Sequence, residues 1–451
     1  MVRAVVAALV VGLAAVGLPY LIAASAAMAT LAVGARADCT LYASPGGSDR
    51  NGGTSPASPL TLGGAAGRTV PGDVVCLLAG TYSLGGPLYI ARSGSPQAWV
   101  TYASYDGQAT VVWAASNSND MFQVTSGTRY IEVNGLSFDG RDRANTAVKC
   151  LVTDHVRVIN NTINNAGGGG ILTSRCDYVA AVGNRIHHAG YGPGWSSGVS
   201  YNSHLWSDQY QGFHSFVVGN IISGTYDASS YHTDGNGIIM DLAASGTSTP
   251  PVLIANNLVY QNGGRCIHTL NNSNSWVVNN TCYKNTLDLQ LGTGVGEYVW
   301  RGSAGNHVLN NLVDGWENPS ANRRSFVDEA GTPAAYARNV YHGAPGNVLP
   351  ASVLNDPNQV RRADPLFVDP VPVDPTASRQ YASALPPTQV GSRFMLRAGS
   401  PAIGAGIDPR TDPAATAELR AGMEQYLLSD LAGRARPPGG GWDLGAYQYA
   451  P

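Results

Sequence analysis

A short pattern of apolar and polar positions recurs along the chain: an apolar run, one or two asparagines, and a second apolar run. It reads VRVINNTI over residues 156–163 and VLIANNLV over residues 252–259. Within the runs apolar and polar residues alternate, which is typical of a β-strand with one buried face. The asparagines that align in these phrases are Asn134, Asn161, Asn184, Asn220, Asn257, Asn280, Asn311 and Asn339. The pattern therefore predicts a repeating all-β structure.

The spacing of the aligned asparagines indicates the kind of repeat. The shortest intervals are 23 residues long, which fits one coil of a parallel β-helix. Asparagine tolerates the left-handed backbone of a tight corner, and stacked asparagines can hydrogen-bond from coil to coil. The leucine spacing of leucine-rich repeats is absent, and an immunoglobulin-like sandwich would not repeat its asparagines in this way. We predict a right-handed, single-stranded parallel β-helix over residues 38–350, with residues 351–451 as a C-terminal segment that caps the helix and packs on it.

Two intervals in the middle of the chain are much longer than one coil. Asn184, Asn220 and Asn257 are separated by 36 and 37 residues, against 23 for the shortest interval. Extra residues within a coil must leave the stack as loops, and such loops commonly carry function. We therefore expect loop insertions on the middle coils. We predict that the functional part of the groove on the surface of the helix lies at roughly residues 187–270.

The first residues have the character of an export signal. Arg3 is followed by an almost uncharged apolar stretch as far as Gly34, and Ala35–Ala37 has the small-residue pattern of a cleavage site. We predict a signal peptide over residues 1–37 and hence a secreted, extracellular protein that begins at Asp38. A retained membrane anchor is the alternative for this segment. No other segment is apolar enough to span a membrane, so a cleaved protein would have no membrane contact.

Composition and charge narrow the class of protein further. The net charge is −3 and only 13% of the residues are charged, so no basic field would attract nucleic acid. The six cysteines all follow the predicted cleavage site, which suggests disulfides, and no C-x-x-C pair indicates zinc. Their order suggests the pairs Cys39–Cys76, Cys150–Cys176 and Cys266–Cys282, although other pairings stay open at this point. We expect the protein to be a monomer.

The candidate chemistry lies in the span of the long loops, where aromatic side chains are crowded. Aromatic faces pack well against the apolar C–H faces of sugars. The predicted sugar contacts are Trp195, Tyr201, Trp206 and Tyr231. Coils stack at about 4.8 Å, close to the repeat of a sugar chain, so a groove on the helix can hold a polysaccharide. The alternative is that these aromatic residues only hold their loops in place.

The direction of the side chains near residue 240 can be predicted from strand alternation. If Ile238 and Met240 point into the helix, then Asp241 points outward. Alignment of Ile267 on the next coil with Ile238 makes His268 point outward as well. The sequence therefore predicts a charged group on the outside of two neighbouring coils.

The residue types in this group suggest their roles. Calcium takes oxygen ligands, so Asp234 and Asp241 are the predicted metal ligands. Arg265 would neutralise a substrate carboxylate and His268 would act as a base, with His232 as a weaker alternative. The plainer interpretations are that Asp234 and the glycine after it form an ordinary turn, and that Arg265 pairs with an acid on the next coil.

Three parts of the chain resemble a known group of proteins. The matching regions are 41–62 with 70–83, then 232–241 with 262–270 and 277–285, and finally 364–370, 394–408 and 443–449. They are similar to bacterial secreted right-handed β-helix proteins related to polysaccharide lyases, especially the group around the family 9 pectate lyases. The resemblance implies a polysaccharide as the substrate, a calcium site with adjacent aspartates, and a lysine base. The chain departs from this, since it has no Asp-Asp pair and its lysines, Lys149 and Lys284, are badly placed for a base.

The leading hypothesis is a lyase that cleaves an acidic polysaccharide such as pectate by β-elimination. In that reaction a cation neutralises the carboxylate of a uronic acid, and a base then removes the neighbouring C5 proton. The first alternative is a glycoside hydrolase on the same scaffold, for which Asp234 and Asp241 would supply the two carboxylates. The second alternative is a non-catalytic carbohydrate-binding or surface protein.

Overall fold

The structure is a computed structural model. It describes residues 36–192, 197–242, 249–292, 295–317, 323–329, 334–344, 349–374 and 380–451. The predicted signal segment, up to residue 35, lies outside these ranges. Within them no helix is both long enough and apolar enough to cross a membrane.

Short β-strands make up nearly all of the regular structure. In chain order they are β1 (Leu41–Ala43), β2 (Val74–Leu77), β3 (Gly80–Leu84), β4 (Leu88–Ile90), β5 (Val100–Ser104), β6 (Ala109–Trp113), β7 (Phe122–Val124), β8 (Ile131–Asn134), β9 (Ser137–Asp139), β10 (Val148–Leu151), β11 (Asp154–Ile159), β12 (Thr162–Asn164), β13 (Ile171–Ser174), β14 (Asp177–Val182), β15 (Arg185–His187), β16 (Val199–Asn202), β17 (Ser215–Val218), β18 (Ile221–Ser223), β19 (Ile238–Asp241), β20 (Val252–Ala255), β21 (Leu258–Tyr260), β22 (Ile267–Leu270), β23 (Ser275–Val278), β24 (Thr281–Tyr283), β25 (Gly296–Arg301), β26 (His307–Leu309), β27 (Leu312–Asp314), β28 (Arg324–Glu329), β29 (Ala335–Ala337), β30 (Asn339–His342) and β31 (Val360–Arg362). The helices are α1 (Leu62–Ala66), α2 (Ala351–Leu354) and α3 (Ala417–Leu427), with short 3₁₀ turns at Gln380–Ser383, Pro387–Gln389 and Pro409–Thr411.

These strands form three parallel sheets, which we call sheets A, B and C. Sheet A has the order β1-β2-β5-β8-β11-β14-β17-β20-β23-β26-β29, sheet B the order β3-β6-β9-β12-β15-β18-β21-β24-β27-β30-β31, and sheet C the order β4-β7-β10-β13-β16-β19-β22-β25-β28. Neighbouring strands of one sheet belong to successive coils. The predicted all-β, right-handed parallel β-helix is confirmed. The last strand of sheet B, β31, pairs in parallel with β30.

The inside of the coils is an apolar core, and disulfide bonds reinforce it. Ile238, Val277 and Val313, one from each sheet, are fully buried there. Full burial of such a side chain contributes about 1.5–3 kcal/mol. The predicted disulfides Cys39–Cys76, Cys150–Cys176 and Cys266–Cys282 are all confirmed.

Buried asparagines form a hydrogen-bonded ladder along one corner of the helix. At Asn220, Oδ1 accepts from both N and Nδ2 of Asn184 at 3.0 Å, while Nδ2 donates to Oδ1 of Asn257 and to the Ala181 carbonyl. The same pattern connects Asn161, Asn184, Asn220, Asn257, Asn280, Asn311 and Asn339. Each rung therefore satisfies buried backbone and side-chain groups of the neighbouring coils.

The first predicted member of the ladder is wrong. Asn134 pairs with Ile159 in sheet A, two positions before the corner. Leu136 occupies the ladder position instead, and its N–H donates to Oδ1 of Asn161 at 3.0 Å. The ladder of asparagines therefore begins one coil later than the sequence pattern indicates.

Where the phrase contains two asparagines, the first one faces outward. Asn256, Asn279 and Asn310 have φ angles of 53°, 53° and 57°, a left-handed conformation that asparagine tolerates well. Nδ2 of Asn256 donates to the Tyr426 carbonyl at 3.1 Å, and Nδ2 of Asn310 donates to the Ile407 carbonyl at 2.7 Å. At these three positions the inner asparagine thus joins the coils, and the outer one fastens the C-terminal segment to them.

The C-terminal segment covers the outer faces of two of the three sheets. Helix α3, whose N-terminus is capped by Thr416, places Met423 in one apolar cluster with Phe216 of sheet A. Phe394 packs against Tyr260 of sheet B with 5.0 Å between the ring centroids. Among the described residues, neither of these clusters contains a strand residue of sheet C. Through these two clusters the segment therefore packs on sheets A and B and not on sheet C.

A second ladder follows another corner and ends on a buried acid. Oδ1 of Asn262 accepts from Thr225, and Oδ1 of Asn285 accepts from N and Nδ2 of Asn262. The carboxyl oxygens of Glu297 then accept from N and Nδ2 of Asn285 at 2.8 and 2.7 Å. Burial raises the pKa of Glu297 to about 8. The folded protein therefore holds this proton more tightly than the unfolded chain does.

We predict that Glu297→Gln makes the stability of the protein less dependent on pH. The pKa of Glu297 in the folded protein is raised above its ordinary value of 4.5. The protonated side chain therefore contributes its full stabilisation of the fold below pH 4.5, and this contribution is lost as the pH rises to about 8. Glutamine has an oxygen that can accept from Asn285 and no ionisable proton. The stability of E297Q relative to the wild type should therefore be greatest above pH 8. Urea denaturation over a pH series measures this, with the exposed Glu424→Gln as control. Equal pH dependence of wild type and E297Q would contradict the prediction.

Candidate functional site

The outer face of sheet C carries its side chains in rows, because successive coils pair in register. One row contains Ser200, Ile239, His268 and Val299. The next row contains Asn202, Asp241, Leu270, Arg301 and Glu329. Ile238 pairs with Ile267, and both Ile238 and Met240 lie in the core, so the predicted register of these strands is confirmed. Asp241 and His268 consequently point outward.

The residues predicted to form a charged group lie together on this face. Nη1 of Arg265 donates to the Thr233 carbonyl at 2.8 Å, which brings the guanidinium group beside Asp234. The charge of Asp241 raises the pKa of Asp234 and the charge of Arg265 lowers the pKa of His268, so the members of each pair are close enough to repel each other electrostatically. The structure therefore brings the two aspartates, the arginine and the histidine into one place, while their chemical roles stay predictions.

Arg301 is a further member of this group that sequence reasoning missed. It pairs with Leu270 on the preceding coil and so lies in the outward row of Asp241. Its Nε lies 3.2 Å from Oε2 of Glu329, its side chain is half exposed, and its charge acts on His268. Correct alignment of β22 with β25 would reveal this residue, but an insertion between the two strands hides the register in the sequence.

The polar atoms of His268 lack hydrogen bonds to the described residues. The side chain is buried, and neither ring nitrogen has a hydrogen-bond partner among the described residues. Burial lowers the pKa of His268 well below its usual value, and Arg265 and Arg301 lower it further, so the ring is neutral at neutral pH. Leaving such a donor and acceptor buried without partners costs about 1–3 kcal/mol for each group. A bound ligand with polar groups would remove this cost.

The two aspartates of the group bind protons more tightly than usual. Burial, together with the charges of Asp241 and Asp227, raises the pKa of Asp234 to about 7. Burial also raises the pKa of Asp241, whose Oδ2 accepts from Nδ2 of Asn202 at 3.1 Å. A nearby cation would relieve the repulsion between these carboxylates.

The carboxylates do not form a complete calcium site by themselves. Calcium takes about six to eight oxygen ligands. Within the described ranges, Asp234 and Asp241 belong to no set of three acidic, histidine or cysteine ligands that could share one ion. Backbone carbonyls, water or substrate would have to supply the remaining ligands, so calcium binding stays a prediction.

Two loops form a wall beside the charged group. Nδ1 of His232, on the loop before β19, lies 2.9 Å from Oδ2 of Asp288, on the loop after β24. The Gly292 N–H donates to the His232 carbonyl at 3.2 Å. Tyr231 and Leu289, the chain neighbours of this pair, are 66% and 56% exposed. The wall therefore presents apolar surface next to charged groups, and sugar contact by Tyr231 stays a prediction.

Tyr201 has a different place from the one predicted. It pairs with Met240, an inward residue, and it is fully buried. Its hydroxyl donates to the backbone carbonyls of Val179 and Phe216 at 3.1 and 3.3 Å. The prediction that Tyr201 contacts sugar is wrong, because strand alternation turns its ring into the core.

Trp206 belongs to a loop that is held together by its own side chains. Its Nε1–H donates to the Tyr210 carbonyl at 3.1 Å, and its ring lies edge-on to His214. His214 is itself buried, with Nδ1 2.9 Å from Oδ1 of Asp177. These contacts favour the alternative in which Trp206 fixes its loop. Trp195 lies outside the described residues.

The lysines lie away from the charged group, as the departures from the resemblance predict. Lys149 is in the row of Ile239 but three coils earlier, and its Nζ pairs with Asp120 at 3.0 Å. Nζ of Lys284 pairs with Asp314 at 2.8 Å. Both ammonium groups are thus engaged in ion pairs elsewhere on the helix.

Comparison with known proteins finds similar folds. The structure is similar to the pectate lyase Pel9A, with 17% identity, coverage of 91% of this chain and 96% of the other, and a TM-score of 0.42. XylC in complex with xylose has 11% identity, coverage of 91% and 98%, and a TM-score of 0.46. An alginate lyase from Paenibacillus sp. has 15% identity, coverage of 67% and 95%, and a TM-score of 0.40. No protein-family model and no curated protein sequence matches the chain significantly. These likenesses concern the fold.

Proposed function

We propose that the protein is a carbohydrate-active protein that acts on an acidic polysaccharide at the outer face of sheet C, as a lyase that cleaves by β-elimination. The proposal is carried by one observation: His268, whose ring nitrogens have no hydrogen-bond partner among the described residues, lies near the charges of Arg265 and Arg301 on the outer side of sheet C, where the C-terminal clusters do not pack. Guanidinium groups bind carboxylates through charge-assisted hydrogen bonds. The three disulfides suit an extracellular place of action.

The charges of this site match the first requirement of β-elimination. The C5 proton of a uronic acid becomes removable when the adjacent carboxylate is neutralised, because negative charge develops there in the transition state. Arg265 and Arg301 supply two positive charges for that purpose. Calcium held by Asp234 and Asp241 would add a further one when bound. A base must then accept the proton, and His268 and His232 are the candidates at this site.

Incubation of the mature protein with a panel of polyuronates, with calcium or with a chelator, tests the proposal. Unsaturated products, followed by ultraviolet absorbance, support the lyase, and loss of activity in chelator supports calcium binding. New reducing ends without absorbance would indicate a hydrolase instead, an alternative that the raised pKa of Asp234 favours because a protonated carboxyl can donate to a leaving oxygen. Binding without any product would indicate a non-catalytic carbohydrate-binding protein.

We predict that Arg301→Gln weakens the binding of polyuronates by about three- to tenfold, or about 1 kcal/mol, because one partly exposed charge partner of the substrate is lost. The change should leave the fold intact, since the Arg301 side chain is 49% exposed. Calorimetric titration at low salt measures the effect.

The control for this prediction is Arg129→Gln. Arg129 has a side chain that is 55% exposed and a comparable ion pair, with Asp154 at 3.3 Å, but it lies outside the charged group. The same loss of affinity in both variants would show that only net charge matters, and the proposed binding face would then be wrong.

A further inference from the structure

A fixed Asp–His pair lies in the wall beside the proposed site. Nδ1 of His232 is 2.9 Å from Oδ2 of Asp288, and the His232 carbonyl accepts from the Gly292 N–H. Asp288 is also held by backbone: Oδ1 accepts from the Gln290 N–H at 3.0 Å, and its N–H donates to the Gly263 carbonyl at 2.9 Å. Both members of the pair are therefore anchored, and their contact joins two coils.

This contact determines which ring nitrogen of His232 is free. An ionised carboxylate only accepts hydrogen bonds, so Nδ1 must carry the proton and Nε2 keeps its lone pair. No residue in the described part of the chain is hydrogen-bonded to Nε2. The His232 side chain is 18% exposed, whereas that of Asp288 is 7% exposed. An imidazole oriented by a carboxylate, with Nε2 free and accessible, is suited to accept a proton.

The pair is also close to the group that would bind the substrate carboxylate. The carbonyl of Thr233, the residue after His232, accepts from Nη1 of Arg265 at 2.8 Å. His268, the other candidate base, has both ring nitrogens buried. Arg265 is thus held beside the chain neighbour of His232, whose imidazole is partly exposed, while the imidazole of His268 is buried.

We propose that His232 is the base of this site and that Asp288 is its positioning residue, an inference that rests on the proposed lyase function. Nε2 of His232 takes the C5 proton, and the electron pair of the C5–H bond becomes the C4=C5 double bond. The C4–O bond breaks, and the leaving oxygen takes a proton from water. The imidazolium then returns its proton to solvent, while Arg265 offsets the charge that develops on the substrate carboxylate.

The test uses kinetics on a polyuronate that the wild type cleaves. His232→Ala should lower kcat by about 10²–10⁴-fold, the usual effect of losing a general base. Asp288→Asn should lower kcat by about tenfold or more and change KM by less than about threefold, because it disturbs orientation and leaves substrate contacts intact. His268→Ala should mainly raise KM.

The matched control is a second Asp–His pair elsewhere on the helix. Nδ1 of His342 lies 2.9 Å from Oδ1 of Asp314, the same distance as in the proposed pair. His342→Ala should leave kcat within about threefold of the wild type. Nitrogen NMR of the His232 ring gives a readout that does not depend on activity: the Nδ1–H tautomer should dominate in the wild type and lose its dominance in Asp288→Asn.

Each outcome decides one question. If the wild type binds polyuronates but forms no unsaturated product, the lyase function is wrong, whatever the NMR shows. If the wild type is active and His232→Ala keeps full kcat, the proposed base is wrong while the lyase function stands. A collapse of kcat in His268→Ala alone would return the role to His268. Unchanged kcat in Asp288→Asn would overturn its positioning role.

Discussion

Replacement of Asn220 by alanine is expected to lower the free energy of unfolding by about 3–5 kcal/mol. Asn220 is fully buried, and its amide makes four hydrogen bonds to Asn184, Asn257 and the Ala181 carbonyl. Alanine would leave N and Nδ2 of Asn184 without an acceptor and the Ala181 carbonyl without this donor. Each buried group without a partner costs about 1–3 kcal/mol, so several together exceed an ordinary core substitution.

Chemical denaturation with the disulfides intact measures this loss, and Asn160→Ala is the matched control. Asn160 is the chain neighbour of a ladder asparagine, but it is exposed. Its φ of 57° means that alanine there costs about 1–2 kcal/mol from backbone strain alone. If N220A is no less stable than N160A, the ladder does not stabilise the helix as argued.

Replacement of Arg436 by methionine is expected to cost about 3–5 kcal/mol and to loosen the C-terminal segment. Arg436 is buried, and its guanidinium group donates to Oδ1 of Asn256 at 2.8 Å and to the carbonyls of Asp443 and Gly445. Asp430 and Asp443 act on it electrostatically. Methionine fills a similar volume but removes the donor to Oδ1 of Asn256 and leaves the acids without a nearby cation. The carbonyls of Asp443 and Gly445 lose one donor and keep the one from Asn279.

Two measurements separate this effect from a general loss of charge. Denaturation gives the change in stability, and hydrogen exchange over residues 417–450 reports whether the segment opens. Arg420→Met on α3 removes the same charge from an exposed position and should change stability by less than about 0.5 kcal/mol. Equal effects of the two substitutions would contradict a specific role for Arg436.

Much of the fold could be predicted because it depends on a local, repeated pattern. The alternation of apolar residues predicts strands, and the repeated asparagines predict the coil. Asn134 shows where this reasoning ends: it has the right residue type and the right neighbours, yet it lies two positions from the corner. The double asparagines show the same limit. The neighbouring residues do not indicate that Asn256 binds a segment 170 residues further on, whereas Asn257 joins successive coils.

The candidate site could be predicted in part for the same reason. Asp241 and His268 follow Ile238 and Ile267 within their own strands, so alternation from these apolar residues predicts their outward direction. Tyr201 and Arg301 belong to strands that follow insertions, where the register cannot be counted along the chain. Pairing with Met240 turns Tyr201 inward, and pairing with Leu270 places Arg301 outward. Both results depend on strand pairing across loops of unequal length.

By itself, the sequence of this protein determined the parallel β-helix and the short segments that carry Asp234, Asp241, Arg265 and His268, and it suggested the disulfide pairs. Only the tertiary structure decided which sheets the C-terminal segment packs on, that Arg301 joins the charged group, and that Asp288 holds His232 from 56 residues away. The physical reason is that strand direction and coil repeats arise from neighbouring residues. The packing of the C-terminal segment and the Asp–His pair arise instead from contacts between residues that are distant in the chain.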